Sequence, residues 1–311
     1  MSNPLVTILT PVYNGANYLR ECIESVLGQT YSNWDYFIAD NCSSDETPEI
    51  AKSFAEVDPR VKYIRYEEFV DVVASFNRTF GLVGSDSSYC KVIGADDWIF
   101  PECLERMVDL ARRNPTVGLV SAYRLLDRHV DLTGIPYSTS VMLGEEILRK
   151  SLLFELSVFG GPSATLLRSD LVRQRNPFYD TGFRHADTEA AHWVVARSDF
   201  GYVHQVLSFE RAQSDQTMIS TDLGSWSIDR TLMLMRYGPG VIERQQYREL
   251  LHQRLREYVS YHVKQRIKPS RRRDRAFHDF HHSRVQLLRA LAGEDPVVPR
   301  AAALVDWLLR T

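Results

Sequence analysis

The sequence has little of what marks several large classes of protein. It has only four cysteines in 311 residues and no CxxC pair, which argues against a zinc site or a disulfide framework and favours reduced thiols packed like small apolar side chains. No apolar run approaches the roughly 18 residues of a membrane-spanning helix. The amino-terminal residues lack the basic and apolar stretches of a signal peptide. We therefore expect a cytoplasmic protein.

The chain also lacks a strong charge of either sign. It has 37 lysines and arginines against 40 acidic residues, a formal net charge of −3, which argues against a general nucleic-acid binder. Hydrophobic residues make up 44% of the chain and charged residues 25%, which is the composition of a globular protein with ample material for a buried core.

Neither of the common glycine-rich phosphate loops is present. There is no GxGxxG after the first apolar run, and there is no GxxxxGK followed by Ser or Thr anywhere. These absences argue against a Rossmann dehydrogenase and against a P-loop enzyme. The site must hold its ligand by other means.

What the sequence does contain is an alternation of short apolar runs and amphipathic segments. The runs predict strands at 5–10 (ended by Pro11), 36–39, 61–65, 89–93 and 117–123, and the periodicity predicts helices at 19–27, 72–80 and 101–113, with one more beginning at Thr47. This alternation predicts an α/β fold with a mostly parallel sheet flanked by helices. From about Trp226 onwards the periodicity is helical, which predicts a helical C-terminal portion.

Polar clusters follow three of the predicted strands, at 11–15, at 40–45 and at Asp96-Asp97. Ligands of such sheets bind beyond the carboxyl ends of the strands, so we expect the clusters to share one site. Adjacent carboxylates suit a magnesium or manganese ion that also binds substrate phosphate oxygens, although such a pair alone more often caps a helix. Asp40 suits a nucleobase N–H or a ribose hydroxyl, or else an Asx turn.

A further acidic residue, Asp187, precedes a predicted helix, where an aspartate usually acts as a cap or as a partner of the helix dipole. We expect Glu189 and His192 to be first-turn and surface residues of that helix, and His185 to be structural. Three histidines near the C-terminus, His278, His281 and His282, are interpreted as ordinary residues rather than as a metal cluster.

The segment 264–275 carries seven cations and one acid, Asp274. It is therefore +6, and the rest of the chain is −9, since the whole chain is −3. A charge run is usually a solvated face. Because the rest of the chain is acidic, this basic segment nevertheless favours an anionic surface as a partner. A membrane is favoured over a nucleic acid.

Taken together, these segments resemble the family 2 glycosyltransferases of the GT-A fold. Residues 10–15 are similar to that family's opening motif, and residues 40–47 are similar to its nucleotide-binding DDGSTDGT segment, with Asn41 and Cys42 at the second and third places. The remaining similar segments are 76–78 with the stretch to Asp97 (the DxD segment), 160–164 and 178–189 (the acceptor half) and 209–217 (the closing loop). The resemblance covers roughly residues 5–217.

The resemblance implies a role for each matching residue. Pro11, Tyr13 and Asp40 would hold the nucleobase. Asp96 and Asp97 would hold the ribose and a Mn²⁺ or Mg²⁺ ion, in an order that stays open. Two more residues of the donor site are Asn77 and Arg211, of which Arg211 would face the diphosphate. Asp187 stands at the position of the catalytic base.

Three positions depart from the family's pattern. Gly94 replaces the first aspartate of a DxDD-type motif, and Ala186 replaces the usual acid before the base. Gln213 stands where the family often has a histidine near the metal. Whether the protein supplies a third metal ligand therefore stays open.

The resemblance therefore implies an inverting, metal-dependent transfer of a sugar from a nucleotide-diphosphate donor to a saccharide or a lipid-linked saccharide, in surface polysaccharide synthesis. Two other functions stay open. A nucleotidyltransferase that makes nucleotide sugars normally needs a basic glycine-rich loop, which residues 11–15 do not supply. A non-catalytic homologue that only binds nucleotide sugars would not need all of the acidic residues. No nucleic-acid partner is expected, and the oligomeric state stays open.

We expect two regions. Residues 1–225 would form the transferase domain, with a nucleotide-sugar half at about 1–115 and an acceptor half at about 116–225. Residues 226–311 would form a helical region whose basic segment docks on the inner face of the membrane.

Overall fold

The computed structural model describes residues 3–211, 225–266, 268, 274–292 and 297–310. Within them lie ten strands: β1 (Val6–Val12), β2 (Trp34–Asp40), β3 (Val61–Arg65), β4 (Tyr89–Val92), β5 (Trp98–Ile99), β6 (Val117–Leu126), β7 (His129–Asp131), β8 (Val141–Met142), β9 (Leu166–Arg168) and β10 (Asp199–Glu210). The same residues include α1 (Leu19–Leu27), α2 (Thr47–Ala55), α3 (Val72–Phe80), α4 (Cys103–Arg113), α5 (Gly144–Leu152), α6 (Ser169–Arg173), α7 (Ala186–Val195), α8 (Ser225–Tyr237), α9 (Arg244–Arg266), α10 (Arg275–Ala290) and α11 (Val297–Arg310).

The strands form one sheet in the order β3-β2-β1-β4-β9-β6-β10-β5, with β7 on β6 and β8 on β10. The longest pairings, β1 with β2, β2 with β3 and β6 with β10, are parallel, as is β1 with β4. The short strands β5, β7, β8 and β9 pair antiparallel. The predicted α/β fold, with a sheet of mostly parallel strands between helices, is confirmed.

Two hydrophobic clusters cover the two faces of the sheet. Ile8 belongs to one cluster and Leu9 to the other, because successive side chains of a strand point to opposite faces. The first cluster includes α1 and α4. The second includes α7 and also α8, through Ile228 and Leu232. The C-terminal helices therefore share the core of the residues that precede them, and the predicted division at residue 225 stays a prediction.

The first strand is longer than predicted. The prediction that Pro11 ends it is wrong, since β1 continues through Pro11 to Val12, opposite Ala39 and Asp40 of β2. On its other side β1 pairs with β4 only as far as Leu9. Proline is tolerated at this place because the missing N–H falls where one neighbouring strand has already ended.

The predicted helical C-terminal portion is confirmed by α8 to α11. His281 is fully buried, and its Nδ1 lies 2.8 Å from the hydroxyl of Tyr258. Of the basic segment, residues 267 and 269–273 lie outside the described residues, and Lys264, Lys268 and Arg275 are exposed. No helix in the described ranges is both long and apolar enough to cross a membrane.

Candidate active site

The loops that follow β1 and β2 are bonded to each other at the carboxyl edge of the sheet. The backbone N–H of Asn14 donates to the hydroxyl of Ser43 (2.9 Å), and that of Gly15 donates to the hydroxyl of Thr47 (2.8 Å). Asn14 and Cys42 have φ angles of 50° and 68°, a left-handed conformation that turns each loop sharply beyond its strand. The predicted meeting of these two polar clusters is confirmed.

Two aromatic rings form an exposed platform at this edge. Tyr13, just beyond β1, is 43% exposed, and Phe69, before α3, is 56% exposed. Their ring centroids lie 4.7 Å apart. Exposed aromatic faces of this kind stack well on nucleobases. Pro11, two residues before Tyr13, is half-buried at the end of β1. The sequence does not indicate Phe69, because it lies in a short loop without a motif.

Asp40 is fully buried at the end of β2, and protein donors already bind both of its carboxylate oxygens. Oδ1 accepts from the backbone N–H of Ser43 (2.8 Å), which is the predicted local turn. Oδ2 accepts from the hydroxyl of Tyr63 (2.6 Å) and from Nη1 of Arg65 (3.1 Å). Burial, and next the bond to Asp40, raise the pKa of Tyr63 to about 12. Asp40 therefore fixes the neighbouring strand and the partly exposed guanidinium of Arg65.

The acidic pair lies in the loop between β4 and β5. Oδ2 of Asp97 accepts from the hydroxyl of Ser163 (2.5 Å), and Oδ1 accepts from the backbone N–H of Arg211 (3.2 Å). Burial, then Glu210 and Asp96, raise the pKa of Asp97 to about 8. The carboxylates of Asp96, Asp97 and Glu210 therefore lie close enough for their charges to act on one another.

Glu210, at the end of β10, adds to this charge. It is ion-paired through Oε2 with Arg124, while its buried Oε1 has no hydrogen-bond partner among the described residues. In those same residues, no group of three or more His, Cys, Asp or Glu side chains is arranged as a complete metal site. Two carboxylates that are completed by substrate phosphate oxygens are nevertheless a ligand set that Mg²⁺ uses. Asp96 and Asp97 fit the divalent cation that the resemblance implies.

Gly94 is explained by the same two acids. A Cβ atom at this position would lie 2.7 Å from Oδ2 of Asp97 and 3.0 Å from Oδ1 of Asp96. Real Cβ atoms do not approach within 3.0 Å of another heavy atom, so any side chain here would displace Asp97. Gly94 therefore leaves the space over the backbone that the side chains of Asp96 and Asp97 occupy.

Arg211 lies beside the acidic pair. Its Nε donates to the backbone carbonyl of Asp96 (2.9 Å), and its guanidinium is ion-paired with Glu21. The guanidinium carbon lies 4.3 Å from the ring centroid of Tyr18. Its role toward a diphosphate stays a prediction. Gln213 lies outside the described residues.

A buried lysine, which the sequence analysis misses, supports this site. Lys91 of β4 is fully buried, and its Nζ donates to the backbone carbonyls of Ser163 and of Thr165 (3.1 Å). Burial lowers the pKa of Lys91. Lys91 thereby holds the short 3₁₀ helix Pro162–Ala164, from which Ser163 reaches Asp97. The available signal was a lysine in the middle of an apolar strand.

Asn77 is bonded to the segment before α7 rather than to the acidic pair. Its Nδ2 donates to the backbone carbonyl of Tyr179 (2.8 Å), and its Oδ1 accepts from the N–H of Tyr179 (2.7 Å). Both polar atoms of the side chain are engaged. Asn77 therefore joins α3 to the segment before α7.

Asp187 is the second residue of α7, so the prediction that it precedes the helix is wrong. It borders a cavity of about 390 Å³ whose wall also includes Gly160, Gly161, His185 and Trp226. The N–H of Thr188 donates to its Oδ1 (2.8 Å). Burial raises the pKa of Asp187. A carboxylate with a raised pKa in a cavity has the properties of a general base.

The expectation that Glu189 and His192 are surface residues is wrong. Glu189 is fully buried and accepts from Arg236 (2.8 Å) and from the hydroxyl of Tyr237 (2.5 Å). His192 is buried, with its Nε2 2.9 Å from the hydroxyl of Ser151, and burial lowers its pKa to about 3. The reason is tertiary, because α5 and α8 cover the face of α7 that carries these residues. His185 is held by the carboxylate of Asp229 (3.0 Å), in line with the predicted structural role.

Comparison with known proteins points to one family. The sequence profile of the family described as Glycosyl transferase family 2 matches residues 7–174. The chain is 36% identical over 102 residues to glycosyltransferase GlyA of Streptococcus pneumoniae, which is 33% of this chain and 14% of that protein. It is 30% identical over 172 residues to an uncharacterized glycosyltransferase of Rickettsia prowazekii, which is 49% of this chain and 52% of that protein. The chain thus spans about half, or less, of these relatives.

The fold is also similar to a solved structure. The chain superposes on S. aureus TarS residues 1–349, whose crystal structure holds UDP-GlcNAc, with a TM-score of 0.68 and 13% sequence identity. The match covers 99% of this chain and 90% of that one. At this level of identity the similarity shows a common GT-A fold, and it includes the C-terminal helices as well as the sheet.

Proposed function

This chain belongs to glycosyl transferase family 2, and from that membership we propose that it moves a sugar from a nucleotide-diphosphate donor to a hydroxyl group of a saccharide or a lipid-linked saccharide, with inversion at the anomeric carbon. One observation carries the proposal. Gly160 and Gly161 line the cavity that holds Asp187, and Ser163, two residues later, donates to Asp97. A single segment thus borders both the acidic pair and the candidate base.

The donor site of this proposal is the edge beyond β1 and β2. The rings of Tyr13 and Phe69 supply a stacking surface for the base, with Pro11 beside them. Asp40 supports a base contact through the guanidinium of Arg65, which it holds at 3.1 Å. Asn77 acts indirectly, as an anchor of the acceptor half, and Arg211 faces the diphosphate.

A divalent cation, Mn²⁺ or Mg²⁺, would be held by Asp97 with Asp96, and when bound it neutralises charge on the nucleotide-diphosphate leaving group. Lys91 and Ser163 keep the carboxylate of Asp97 in one orientation. Arg211 offers a further positive charge at the same place.

Asp187 would accept the proton of the acceptor hydroxyl as that oxygen forms its bond to the anomeric carbon. The bond from the anomeric carbon to the diphosphate oxygen breaks at the same time, and the electron pair leaves with the nucleotide diphosphate. One base and one direct displacement give inversion. The cavity holds the acceptor in line with the donor, which supplies a further share of the rate.

We further propose a cytoplasmic place of action on the inner face of the membrane, where lipid-linked acceptors for surface polysaccharides are used. The exposed cations Lys264, Lys268 and Arg275 and the +6 charge of 264–275 support it. Each cation near an anionic bilayer contributes about 1 kcal/mol. Flotation with anionic liposomes at low salt tests this. Flotation that is unchanged after neutralisation of the arginines of this segment, or that is absent from the start, contradicts it.

The transfer reaction is tested in two steps. Nucleotide sugars are screened by thermal shift with Mn²⁺, because a bound donor stabilises the fold by RT ln(1 + [L]/Kd). The donor that binds is then incubated with saccharide acceptors, and release of nucleoside diphosphate is measured with and without a chelator. Pyrophosphate release from a nucleoside triphosphate and a sugar phosphate would instead identify a nucleotidyltransferase. Donor binding without transfer or hydrolysis would identify a non-catalytic homologue.

A further inference from the structure

Two arginines line the part of the Asp187 cavity that the C-terminal helices supply. Arg230 comes from α8 and Arg254 from α9. Both stack on the ring of Phe154, with guanidinium carbons 3.3 Å and 4.4 Å from its centroid. The shared ring brings two positive charges together at one wall of the cavity.

Arg254 is fixed in this place by backbone carbonyl groups. It is only 4% exposed, and it donates to the backbone carbonyls of Arg230 (2.9 Å) and Leu152 (2.6 Å). Burial, and next the charge of Arg230, lower the pKa of Arg254 to about 10. These two carbonyl groups each accept from one N–H of a guanidinium that has five, and they carry no net charge. Two like charges side by side are costly to bury unless something else balances them.

Other buried arginines in this half of the molecule have a carboxylate partner. Arg124 pairs with Glu210, Arg175 with Glu189 (2.8 Å) and Arg236 with Asp180 (2.7 Å). Among the described residues, neither Arg230 nor Arg254 forms an ion pair within 4.0 Å, although the charge of Glu257 on α9 acts on both and raises the pKa of each against the effect of burial. The two arginines thus differ from their neighbours in lacking a carboxylate at contact distance among the described residues.

The cavity itself has the size and lining of a ligand site. Its volume of about 390 Å³ lies in the range of small-molecule pockets. Phe154 and Trp226 supply apolar walls, and Asp187 supplies the candidate base. Guanidinium groups bind carboxylates and phosphates through paired hydrogen bonds, and they do so best where water is partly excluded.

We propose that the acceptor saccharide carries an anionic oxyacid group, a phosphate or a carboxylate, which Arg230 and Arg254 bind while an acceptor hydroxyl meets Asp187. The proposal rests on the proposed function, because the cavity is an acceptor site only if Asp187 is the base. It narrows the acceptor to anionic sugars such as phosphosugars, uronic acids or glycans with a phosphodiester backbone.

The test compares matched sugars that differ only in charge. Binding of glucose, glucose 6-phosphate and glucuronate is titrated by calorimetry in the presence of saturating nucleoside diphosphate and Mn²⁺, with inorganic phosphate as a fourth probe. The variant is Arg230→Gln, which removes the charge and keeps a polar side chain of similar reach. The control is Arg197→Gln, because Arg197 also stacks on an aromatic ring (4.3 Å from Trp193) but lies outside the cavity.

We expect at least one anionic sugar to bind wild type ten times more tightly than glucose, and we expect Arg230→Gln to abolish this difference while Arg197→Gln leaves it intact. Three results each overturn the proposal: equal affinity for neutral and anionic sugars, a preference that survives in Arg230→Gln, and no binding of any anionic probe to wild type. Binding of the nucleotide donor is measured on the same samples. If the donor binds and turns over but the anionic preference is absent, only this proposal fails. If no donor binds, the proposed function fails with or without anion binding.

Discussion

The hydroxyl of Ser163 donates a 2.5 Å hydrogen bond to Oδ2 of Asp97, across 66 positions of sequence. The same hydroxyl accepts from the backbone N–H of Gly94 (2.9 Å). The Nζ of Lys91 donates to the backbone carbonyl of Ser163. The orientation of Asp97 after β4 therefore depends on the 3₁₀ helix Pro162–Ala164, which lies directly before β9.

This link predicts the effect of Ser163→Ala. Removing the hydroxyl leaves Asp97 with one fewer donor and frees its carboxylate to rotate, so affinity for the Mn²⁺–nucleoside diphosphate pair falls. A hydrogen bond to a charged group contributes roughly 1.5–3 kcal/mol, which corresponds to at least a tenfold loss. Calorimetric titration of nucleoside diphosphate at fixed Mn²⁺ measures it.

Ser87→Ala is the matched control for that experiment. Ser87 is also buried and bonded to another side chain, the hydroxyl of Ser169 (2.9 Å), but it does not contact the acidic pair. It should lower thermal stability to a similar degree and leave nucleotide affinity unchanged. Equal nucleotide affinity in both variants would show that Ser163 does not orient Asp97.

Asp40→Ala should weaken both folding and donor binding. The substitution leaves the hydroxyl of Tyr63 and the partly exposed guanidinium of Arg65 without their acceptor, and it breaks the turn bond to the N–H of Ser43, so the free energy of unfolding falls. Denaturant unfolding measures the stability and thermal shift measures donor affinity. Tyr63→Phe separates the two effects, because it removes one bond and keeps the carboxylate and Arg65. A stable Asp40→Ala variant with normal donor affinity would remove Asp40 from the site.

Asp187→Asn should reduce transfer while donor affinity stays normal. General-base assistance contributes roughly 10²- to 10⁴-fold, so kcat for transfer falls by about 10²-fold or more. The amide oxygen can still accept from the N–H of Thr188, so the first turn of α7 keeps its bond. Steady-state transfer and nucleotide titration are measured on the same sample. A normal kcat would exclude Asp187 as the base, and Glu189 is then no substitute, because Arg236 and Tyr237 engage it in the core.

The raised pKa of Asp187 also predicts two pH effects. The base must be ionised, so kcat falls as pH drops through a pKa above the usual aspartate value of about 3.9. The second effect concerns stability. Between the usual aspartate pKa and the raised pKa of folded Asp187, the folded state binds more protons than the unfolded state. The free energy of unfolding therefore falls as pH rises through this range. Asp187→Asn should therefore have a higher Tm than wild type at neutral pH, and the difference should vanish in acid. A lower Tm at neutral pH would indicate that Asp187 is only a helix-dipole partner.

Much of the first half of the fold could be predicted from the sequence. The helix Val72–Phe80 agrees with its predicted range, because apolar residues recur at helical spacing and Asp71 caps the first turn. The strands Val61–Arg65 and Tyr89–Val92 agree to within a residue. The site also followed from order along the chain, since parallel strands bring their carboxyl ends to one edge.

The tertiary structure decided what each side chain faces. Sequence order gave no sign that Tyr63 and Arg65 bind Asp40, that Asn77 holds Tyr179, or that α8 and α5 bury Glu189 and His192. The two arginines in the wall of the Asp187 cavity are also distant from Asp187 along the chain. Asp187 lies on α7, Arg230 on α8 and Arg254 on α9. Local spacing sets where a helix or strand forms, because backbone hydrogen bonding and one-sided burial repeat over a few residues. It does not set which helix docks on which, because that depends on the summed packing of surfaces that are distant in the sequence.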